Sequence, residues 1–161
     1  MGVISDTHGR LRPEALAALR GSDLIIHAGD IGSEAIVPEL RKLAPVVAVH
    51  GNVDSAELRR EFPAINVAEI AGLGFYVLHS LAALDLNPQK AGFAAVIAGH
   101  THRPEFHFGG GVLYFNPGSA GPRRFHLPVT LGRIVVREGK LLPEIVELEP
   151  GWLSTCSAGR T

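Results

Sequence analysis

The sequence predicts a mixed α/β domain in which two packed β-sheets are covered by helices on the outside. In the first 61 residues, short apolar runs alternate with helical segments, and this order is typical of parallel strands joined by crossover helices. From residue 65 onward, strands follow one another around glycine-rich turns, which indicates hairpins. A chain of 161 residues is long enough to bury a substantial core in one domain.

Three buried strands and three helices are predicted in the first half of the chain. Pro13 suits the first position of a helix, Gly21 the position after its end, and Ser55 the cap of a short third helix. Pro38 leaves two alternatives for the second helix: a late start with the proline in the first turn, or a kink. The predicted strands are residues 2–5, 23–30 and 46–52, and the predicted helices are 12–21, 33–45 and 55–61.

The second half is predicted to consist mainly of strands. Its elements are two strands within 65–80 around the turn Gly72-Leu73-Gly74, a helical turn at 87–93 that begins with Asn87 and Pro88, a buried strand at 94–99, and hairpins at 105–116 and 128–149 that turn on 109–111 and 138–140. We therefore assign residues 1–149 to a single domain. Residues 150–161 are predicted to form a flexible polar tail.

Composition and charge disfavour several classes of partner. The formal net charge is −1 and no block of like charges occurs, so neither a nucleic-acid partner nor a membrane surface is expected. No apolar run approaches the length of a membrane span and no basic-then-apolar leader precedes the first strand. The single cysteine, Cys156, has no intrachain partner, which fits a reducing cytoplasm. We expect a cytoplasmic protein with a small substrate, and a homo-oligomer stays open.

Polar side chains follow the end of nearly every predicted strand of the sheet. The carboxyl ends of parallel strands meet at one edge, so residues far apart in sequence are expected to converge there. Histidines are unusually frequent, with eight in the chain, and two of them stand in GHTHRP directly after a buried strand. The candidate set is Asp6, His8, Asp30, Asn52, His79, His100 and His102.

This set of side chains points to metal-assisted chemistry. Carboxylate, amide and imidazole donors suit Mn²⁺, Fe²⁺, Zn²⁺ or Ni²⁺, with Mn²⁺ the preferred choice, and the lack of thiolates disfavours a structural zinc site. Seven ligands are too many for one tetrahedral ion but suit two ions that share a bridging carboxylate. Such a pair can deprotonate a water between the ions and hold a phosphoryl oxygen, which predicts phosphoester hydrolysis by a bridging hydroxide.

Each motif alone also has an ordinary structural interpretation as a turn or a cap. Gly29 and Gly51 are expected to permit tight turns that direct Asp30 and Asn52 inward. His27 and His50 lie inside predicted strands and are interpreted as structural. His107 and His126, in hairpin and loop contexts, are interpreted as solvated.

Six stretches of the sequence, taken together, resemble the calcineurin-like metallophosphoesterases, in particular their small single-domain branch, which includes the scaffold subunit of the retromer. The resemblance implies a four-layer αββα sandwich with two mixed β-sheets and a dinuclear site at one edge. The stretches are ISDTHG (4–9), AGD (28–30), GNVD (51–54), LHS (78–80), GHTHRP (99–104) and NPGSAGPRR (116–124).

The resemblance also implies how the ligands are divided. One ion would be held by Asp6, His8, Asp30 and His102, and the other by Asp30, Asn52, His79 and His100, with Asp30 as the bridge. Asn52 is further predicted to steady the charge that develops during the reaction and to donate to the phosphate. Arg123 and its neighbour Arg124 are candidates for phosphate binding, although a solvated loop explains them equally well.

Two positions depart from the family pattern. Many family phosphatases carry a histidine after the Asn of the Gly-Asn turn, where it is thought to protonate the leaving group, but this chain has Val53, and whether Asp54 replaces that acid stays open. Ser80 stands where glycine is common. The first hypothesis is a metal-dependent phosphoesterase, more specifically a phosphodiesterase. The alternative is a non-catalytic or weakly catalytic protein-binding scaffold of the same fold, and a mononuclear zinc hydrolase would leave at least three ligands unexplained.

Overall fold

Two five-stranded mixed sheets pack face to face in the computed structural model, which describes residues 1–124 and 126–148. The predicted tail at 150–161 and Cys156 lie outside these residues. The strands are β1 Gly2–Ile4, β2 Ile25–Ala28, β3 Val46–Val49, β4 Ile65–Ile70, β5 Leu73–Leu78, β6 Phe93–Ile97, β7 Pro104–Gly109, β8 Val112–Pro117, β9 Thr130–Arg137 and β10 Lys140–Glu147; the helices are α1 Pro13–Leu19, α2 Ile36–Arg41 and α3 Ala56–Glu61, with a 3-10 helix at Leu81–Ala83.

Both sheets combine parallel and antiparallel strand pairs. The first sheet has the order β10-β9-β1-β2-β3, in which β1, β2 and β3 are parallel, β9 is antiparallel to β1, and β10 is antiparallel to β9. The second sheet has the order β4-β5-β6-β8-β7, with β5, β6 and β8 parallel. The parallel strands of both sheets therefore present their carboxyl ends to polar loops.

The helices begin where the sequence predicts, with one alternative decided. Pro13 stands at the start of α1, where its missing N–H is not needed. Helix α2 starts late, at Ile36, so Pro38 lies in its first turn and produces no kink. The Ser55 side chain caps α3 by accepting the N–H of Leu58 at 3.3 Å. None of the helices in the described ranges combines the length and apolarity needed to cross a membrane.

The buried apolar residues form three clusters, because the central strands of the two sheets are buried on both faces. Ile4 and Ile25 pack against the three helices, whereas the neighbouring Val3 and Ile26 pack between the sheets. The outer face of the second sheet packs against residues of the segment 84–93, among them Leu84 and Leu86, which follow the 3-10 helix. The predicted α/β fold with two mixed sheets is confirmed, and its second outer layer is thinner than a full helical layer.

The hairpin turns lie close to their predicted positions. The first one turns on Ala71-Gly72, one residue before the predicted Gly-Leu-Gly, because both residues adopt the positive φ of a two-residue hairpin loop, at 52° and 75°. The other two turn on Gly110-Gly111 and Glu138-Gly139, as predicted. These hairpins lie apart from the ligand loops.

Candidate metal centre

The loops after the parallel strands carry all seven predicted ligands and have an unusual backbone. Asp6, His8, Asp30, His100 and His102 have φ between 46° and 71°, a region that residues other than glycine rarely adopt. The loops after β1 and β2 also bind each other, since the N–H groups of Asp6 and His8 donate to the carbonyls of Gly29 and Asp30 at 3.0 Å. Tertiary hydrogen bonds thus hold the ligands in strained conformations.

Three of the predicted ligands form a first group of donor atoms. His102 Nε2 lies 3.2 Å from Asp6 Oδ1, and His8 Nε2 lies 3.9 Å from the same oxygen. The two imidazole nitrogens are 3.3 Å apart. All three side chains are buried or nearly so, at 0%, 11% and 8% exposure for Asp6, His8 and His102.

The remaining ligands form a second, more exposed group. Asn52 Oδ1 lies 3.1 Å from both His79 Nε2 and His100 Nδ1. His79 Nε2 is also 3.3 Å from Asp30 Oδ2. Asn52 and His100 are exposed, whereas His79 and Asp30 are buried.

Asp30 lies between the two groups. Its Oδ2 is 4.0 Å from His8 Nε2 in the first group and 3.3 Å from His79 Nε2 in the second. Asp6 is also close to both, because single donor atoms of Asp6, Asp30 and His79 lie within 4.8 Å of one another. Proximity therefore offers two candidates for a bridge, and the assignment of Asp30 stays a prediction.

The donor atoms fit divalent cations. Asp6 Oδ1 is buried and has no hydrogen-bond partner among the described residues, although two imidazoles face it. The His79 Nδ1–H donates to the Ala28 carbonyl at 2.7 Å, so Nε2 is the nitrogen that would bind a metal once its proton is displaced. A buried carboxylate oxygen without a donor is costly unless a cation compensates it.

The charges of these side chains depend on one another. Burial disfavours the charged form of Asp30, but hydrogen bonds from His79 and the Val53 N–H outweigh it and lower the Asp30 pKa to about 2. Burial likewise opposes the charged form of His79, yet its hydrogen bonds to Asp30 and Ala28 raise its pKa. Burial and then the nearby Arg124 cation lower the pKa of His8, which favours the neutral imidazole that binds metals.

Asp54 organises the loops and does not face the ligands with a free oxygen. Its carboxylate accepts three backbone N–H groups: Gly51 at 2.8 Å and Ile31 at 3.1 Å on Oδ2, and Gly32 at 2.8 Å on Oδ1. The residue is buried at 5% exposure. Asp54 therefore ties the loop after β2 to the loop after β3.

The two predicted glycines act in different ways. Gly29 has a φ of 90°, as expected for a tight turn, and a Cβ there would lie 2.6 Å from His79 Nδ1. Gly51 does not have a positive φ, and a Cβ there would instead collide with the Asp30 carboxylate. Gly51 is thus required by close approach rather than by turn geometry.

Several supporting residues escaped the sequence analysis. Asn116, in the NPGS stretch, donates to the Gly99 carbonyl at 2.8 Å and to Thr101 Oγ1 at 3.0 Å, which orders the loop of His100 and His102. Ser5 Oγ donates to Asp6 Oδ2 at 2.6 Å, and the His100 N–H donates to the same oxygen at 3.1 Å. The available signal was position, because both Ser5 and Asn116 lie at the end of a buried strand.

The other histidines have separate environments. His27 is buried behind the ligands, where Nδ1 accepts the Gly29 N–H at 3.3 Å and Nε2 contacts Thr7 Oγ1 at 2.9 Å. His107 and His126 are exposed, as predicted, and the His107 ring stacks on Tyr114. His50 contacts the Gly51 carbonyl at 3.1 Å and borders a surface recess beside Asn52.

The two departures from the family pattern have simple structural consequences. Val53 is 57% exposed, and only its backbone serves the site, through an N–H that donates to Asp30 Oδ1 at 3.1 Å. Ser80 has an extended backbone, with a φ of −121°, so glycine is not needed there. Of the two predicted arginines, Arg124 lines a small recess with His100 and His102, and Arg123 is half-buried next to it.

Comparison with known proteins identifies the family of the chain. The family model of the calcineurin-like phosphoesterase superfamily domain matches residues 1–139. A probable metallophosphoesterase of Methanocaldococcus jannaschii is 35% identical over 158 residues, which cover 92% of this chain and 81% of that protein.

Solved structures share the same fold. A protein described as a novel archaeal phosphodiesterase has a TM-score of 0.73 at 25% identity and covers 90% of this chain and 98% of its own. The zinc complex of Vps29 from Entamoeba histolytica has a TM-score of 0.68 at 19% identity, and the match covers 92% of this chain and 98% of that chain. At this identity the similarity shows only a shared fold. The match over residues 1–139 includes every predicted ligand, and the chain belongs to the calcineurin-like phosphoesterase superfamily as a metallophosphoesterase.

Proposed function

We propose that the protein is a phosphodiesterase that works with two divalent metal ions, Mn²⁺ being the preferred pair. The observation that carries this proposal is the position of Asp30 Oδ2, at 4.0 Å from His8 Nε2 and 3.3 Å from His79 Nε2. One carboxylate oxygen is thus within reach of two adjacent groups of donors. When bound, two such ions supply an activated water and neutralise charge on a phosphoryl group.

The residues of the chain then bind and orient the substrate. The Asn52 amide oxygen faces His79 and His100, which leaves its NH₂ group to donate to a phosphoryl oxygen. A donor fixed where negative charge develops lowers the barrier of the reaction. Arg124, beside His100 and His102, is positioned to attract the phosphate, and the half-buried Arg123 is the second candidate for that role.

Neither of the two positions considered for a leaving-group acid offers a proton donor among the described residues. Val53 carries no proton at the position where the family pattern has histidine, and both Asp54 oxygens accept backbone N–H groups. The leaving group must then depart with little protonation, which favours substrates with acidic leaving groups. The archaeal phosphodiesterase with the same fold supports a diester rather than a general monoester as substrate.

A protein-binding scaffold of the same fold is the second candidate, and the likeness to Vps29 favours it. Since Vps29 from Entamoeba histolytica was solved with zinc, metal binding alone does not separate the two functions. Turnover does. The chain keeps a full ligand set around Asp30, which a scaffold does not require.

The experiment compares hydrolysis of bis-p-nitrophenyl phosphate and p-nitrophenyl phosphate. Protein stripped with a chelator is measured before and after Mn²⁺ is restored, with bound metal quantified in the same samples. We expect Mn²⁺-dependent hydrolysis that is faster for the diester. Two bound equivalents without turnover of either substrate would favour the scaffold, and faster hydrolysis of the monoester would overturn the phosphodiesterase assignment.

A further inference from the structure

A surface recess of about 410 Å³ adjoins the exposed half of the metal centre. We propose that this recess binds one organic ester substituent of the substrate, a flat and mostly apolar group of at least the size of an aromatic ring. The proposal rests on the proposed function and specifies its substrate class. The residues that carry it are Asn52, Arg59, Ala64, Ile65, Leu78 and Ala83.

The recess is continuous with the place where a phosphate would bind. Asn52, His79 and His100 line it, and the same side chains form the second group of donor atoms. A substituent in the recess is therefore one ester bond away from a phosphoryl group held at those donors. This continuity identifies the occupant as part of the substrate rather than a separate ligand.

The walls of the recess are chemically suited to a ring. Ile65, at the start of β4, is 37% exposed, and Ala64 and Ala83 on the rim are also exposed. Leu78, at the end of β5, is only 1% exposed and contributes to the base. Burial of an apolar ring against such side chains is favourable because it removes apolar surface from water.

Arg59 adds a fixed planar cation to the same recess. Its Nε donates to the Asp54 carbonyl at 3.0 Å and its Nη2 to the Asn52 carbonyl at 2.6 Å. These bonds hold the guanidinium on the loop of Asn52, and they use only part of its N–H groups. A fixed guanidinium can stack on an aromatic face or donate to an acceptor at the edge of the ring.

The recess on the other side of the centre is too small for the same role. It measures about 140 Å³ and is lined by His100, His102, Arg124 and Leu127 among others. Pockets for organic ligands are usually about 300–1,000 Å³, a range that includes only the larger of these two recesses. The size difference places the ring beside Arg59 and leaves the smaller recess for phosphoryl oxygens or a small group.

The test compares two diesters that share a p-nitrophenyl group, methyl p-nitrophenyl phosphate and phenyl p-nitrophenyl phosphate. Hydrolysis is followed with Mn²⁺ present, and each kcat/KM is divided by the rate of the same diester in hydroxide solution. Ala83→Trp fills the recess, and Ala82→Trp, on the same 3-10 helix but outside the recess, is the matched control. Ala64→Trp fills the recess from the opposite rim if Ala83→Trp fails to fold.

We expect wild type and Ala82→Trp to prefer the phenyl diester by about ten-fold, and Ala83→Trp to lose that preference. A fall of about ten-fold for both diesters in Ala83→Trp alone also supports the recess, since it places the shared p-nitrophenyl group there. Equal kinetics of both tryptophan variants, or no preference in wild type together with no effect of Ala83→Trp, would overturn the inference. All of these outcomes require that the wild type hydrolyses the diesters. If the wild type hydrolyses neither diester, the proposed function fails rather than the inference about the recess.

Discussion

The ligand loops and the hairpin turns use the same rare backbone for different purposes. Among the described residues, seven non-glycine residues have a positive φ, and five of these are predicted metal ligands. The other two, Ala71 and Glu138, stand in hairpin turns directly before a glycine. The left-handed conformation reverses the chain in the hairpins, whereas in the ligand loops it directs side chains toward a common centre.

The two regions differ in what holds that conformation. The turn at Ala71-Gly72 is closed by its own two strands, so local pairing suffices. Asp6 is held by the Ser5 hydroxyl, by the His100 N–H and by the Gly29 carbonyl, and two of these come from distant parts of the chain. Strain in the ligand loops is therefore offset by tertiary structure, which is typical of functional sites.

The largest expected effect follows from removing the charge of Asp30. We expect Asp30→Asn to lose both equivalents of Mn²⁺ and all measurable phosphodiesterase activity, because its Oδ2 faces one imidazole of each group. Asp6→Asn is the matched comparison, since the ion pairs of Asp6 Oδ1 are with the two imidazoles of the first group, His8 and His102. We expect that variant to lose one equivalent. Metal content after equilibrium dialysis measures both.

Asp85→Asn serves as a control for the loss of a carboxylate, because Asp85 is exposed and its Oδ1 accepts a hydrogen bond from the Tyr76 hydroxyl at 3.4 Å. It should bind two equivalents. The bridge would be reassigned to Asp6 if Asp6→Asn lost both ions while Asp30→Asn kept one.

The next effect concerns Val53, whose backbone N–H donates to Asp30 while its side chain is exposed. Because the Val53 side chain has no proton to donate and both Asp54 oxygens accept backbone N–H groups, we expect wild-type rates to fall steeply as the pKa of the leaving alcohol rises. General acid catalysis raises a rate by about 10²–10⁴-fold. Val53→His should therefore raise the hydrolysis rate of diesters with poor leaving groups more than that of p-nitrophenyl diesters. A series of aryl and alkyl diesters with known leaving-group pKa measures the slope.

Val53→Gln is the control, because it adds a polar side chain of similar reach without a titratable group. A wild-type rate that is flat across the series, with chemistry shown to be rate-limiting, would mean that another residue already supplies the proton.

A smaller effect is expected behind the ligands, at His27. Burial lowers its pKa from 6.5 to about 4. The unfolded chain therefore takes up the proton first, so this histidine lowers the free energy of unfolding as the pH falls from 6.5 toward 4 and has no such effect above 6.5. Between about pH 7.5 and pH 5, we expect the free energy of unfolding of the metal-free wild type to fall by about 2 kcal/mol more than that of His27→Gln.

Urea unfolding at the two pH values measures that difference. The Mn²⁺ stoichiometry of His27→Gln should stay at the wild-type value, since both ring nitrogens contact other groups. Equal pH dependence of the two proteins, or loss of one metal equivalent in the variant, would contradict the structural role of His27.

The smallest effect is expected in a hairpin. Ala71→Gly should raise the free energy of unfolding by about 0.5 kcal/mol, because glycine relieves the left-handed strain but is more flexible in the unfolded chain. Activity should not change, since Ala71 lies far from the ligands in the fold. Thermal unfolding and a diester assay check both statements, and a loss of stability would show that the turn does not strain its alanine.

Local patterns made most of the fold predictable. Pro13 and Ser55 marked helix starts, and the glycines at 72, 110, 111 and 139 marked turns, because these effects depend on near neighbours. The thin layer over the second sheet was not predicted. The segment 79–92 over this sheet contains the proline and polar residues that are typical of a turn. Tertiary packing, which has no local sequence pattern, determines that a short 3-10 helix forms there.

The convergence of the candidate ligands was also predictable, because each follows a buried strand, but the contacts that support them were not. Asp54 was left open as an acid, and only the contacts show three backbone N–H groups on its carboxylate. The function of Gly51 was misread for the same reason, since its collision partner, Asp30, is distant in sequence. Long-range hydrogen bonds and close approach leave no local pattern.

The most direct test of the account is the state of bound Mn²⁺ in the wild-type protein. Equilibrium dialysis gives the stoichiometry, and electron paramagnetic resonance shows whether the ions are magnetically coupled through a shared ligand. We expect two equivalents of Mn²⁺, the more weakly bound one at the exposed Asn52 and His100 group, and a coupled spectrum that disappears in Asp30→Asn. A single equivalent, or two ions with an uncoupled spectrum, would contradict a centre built around Asp30.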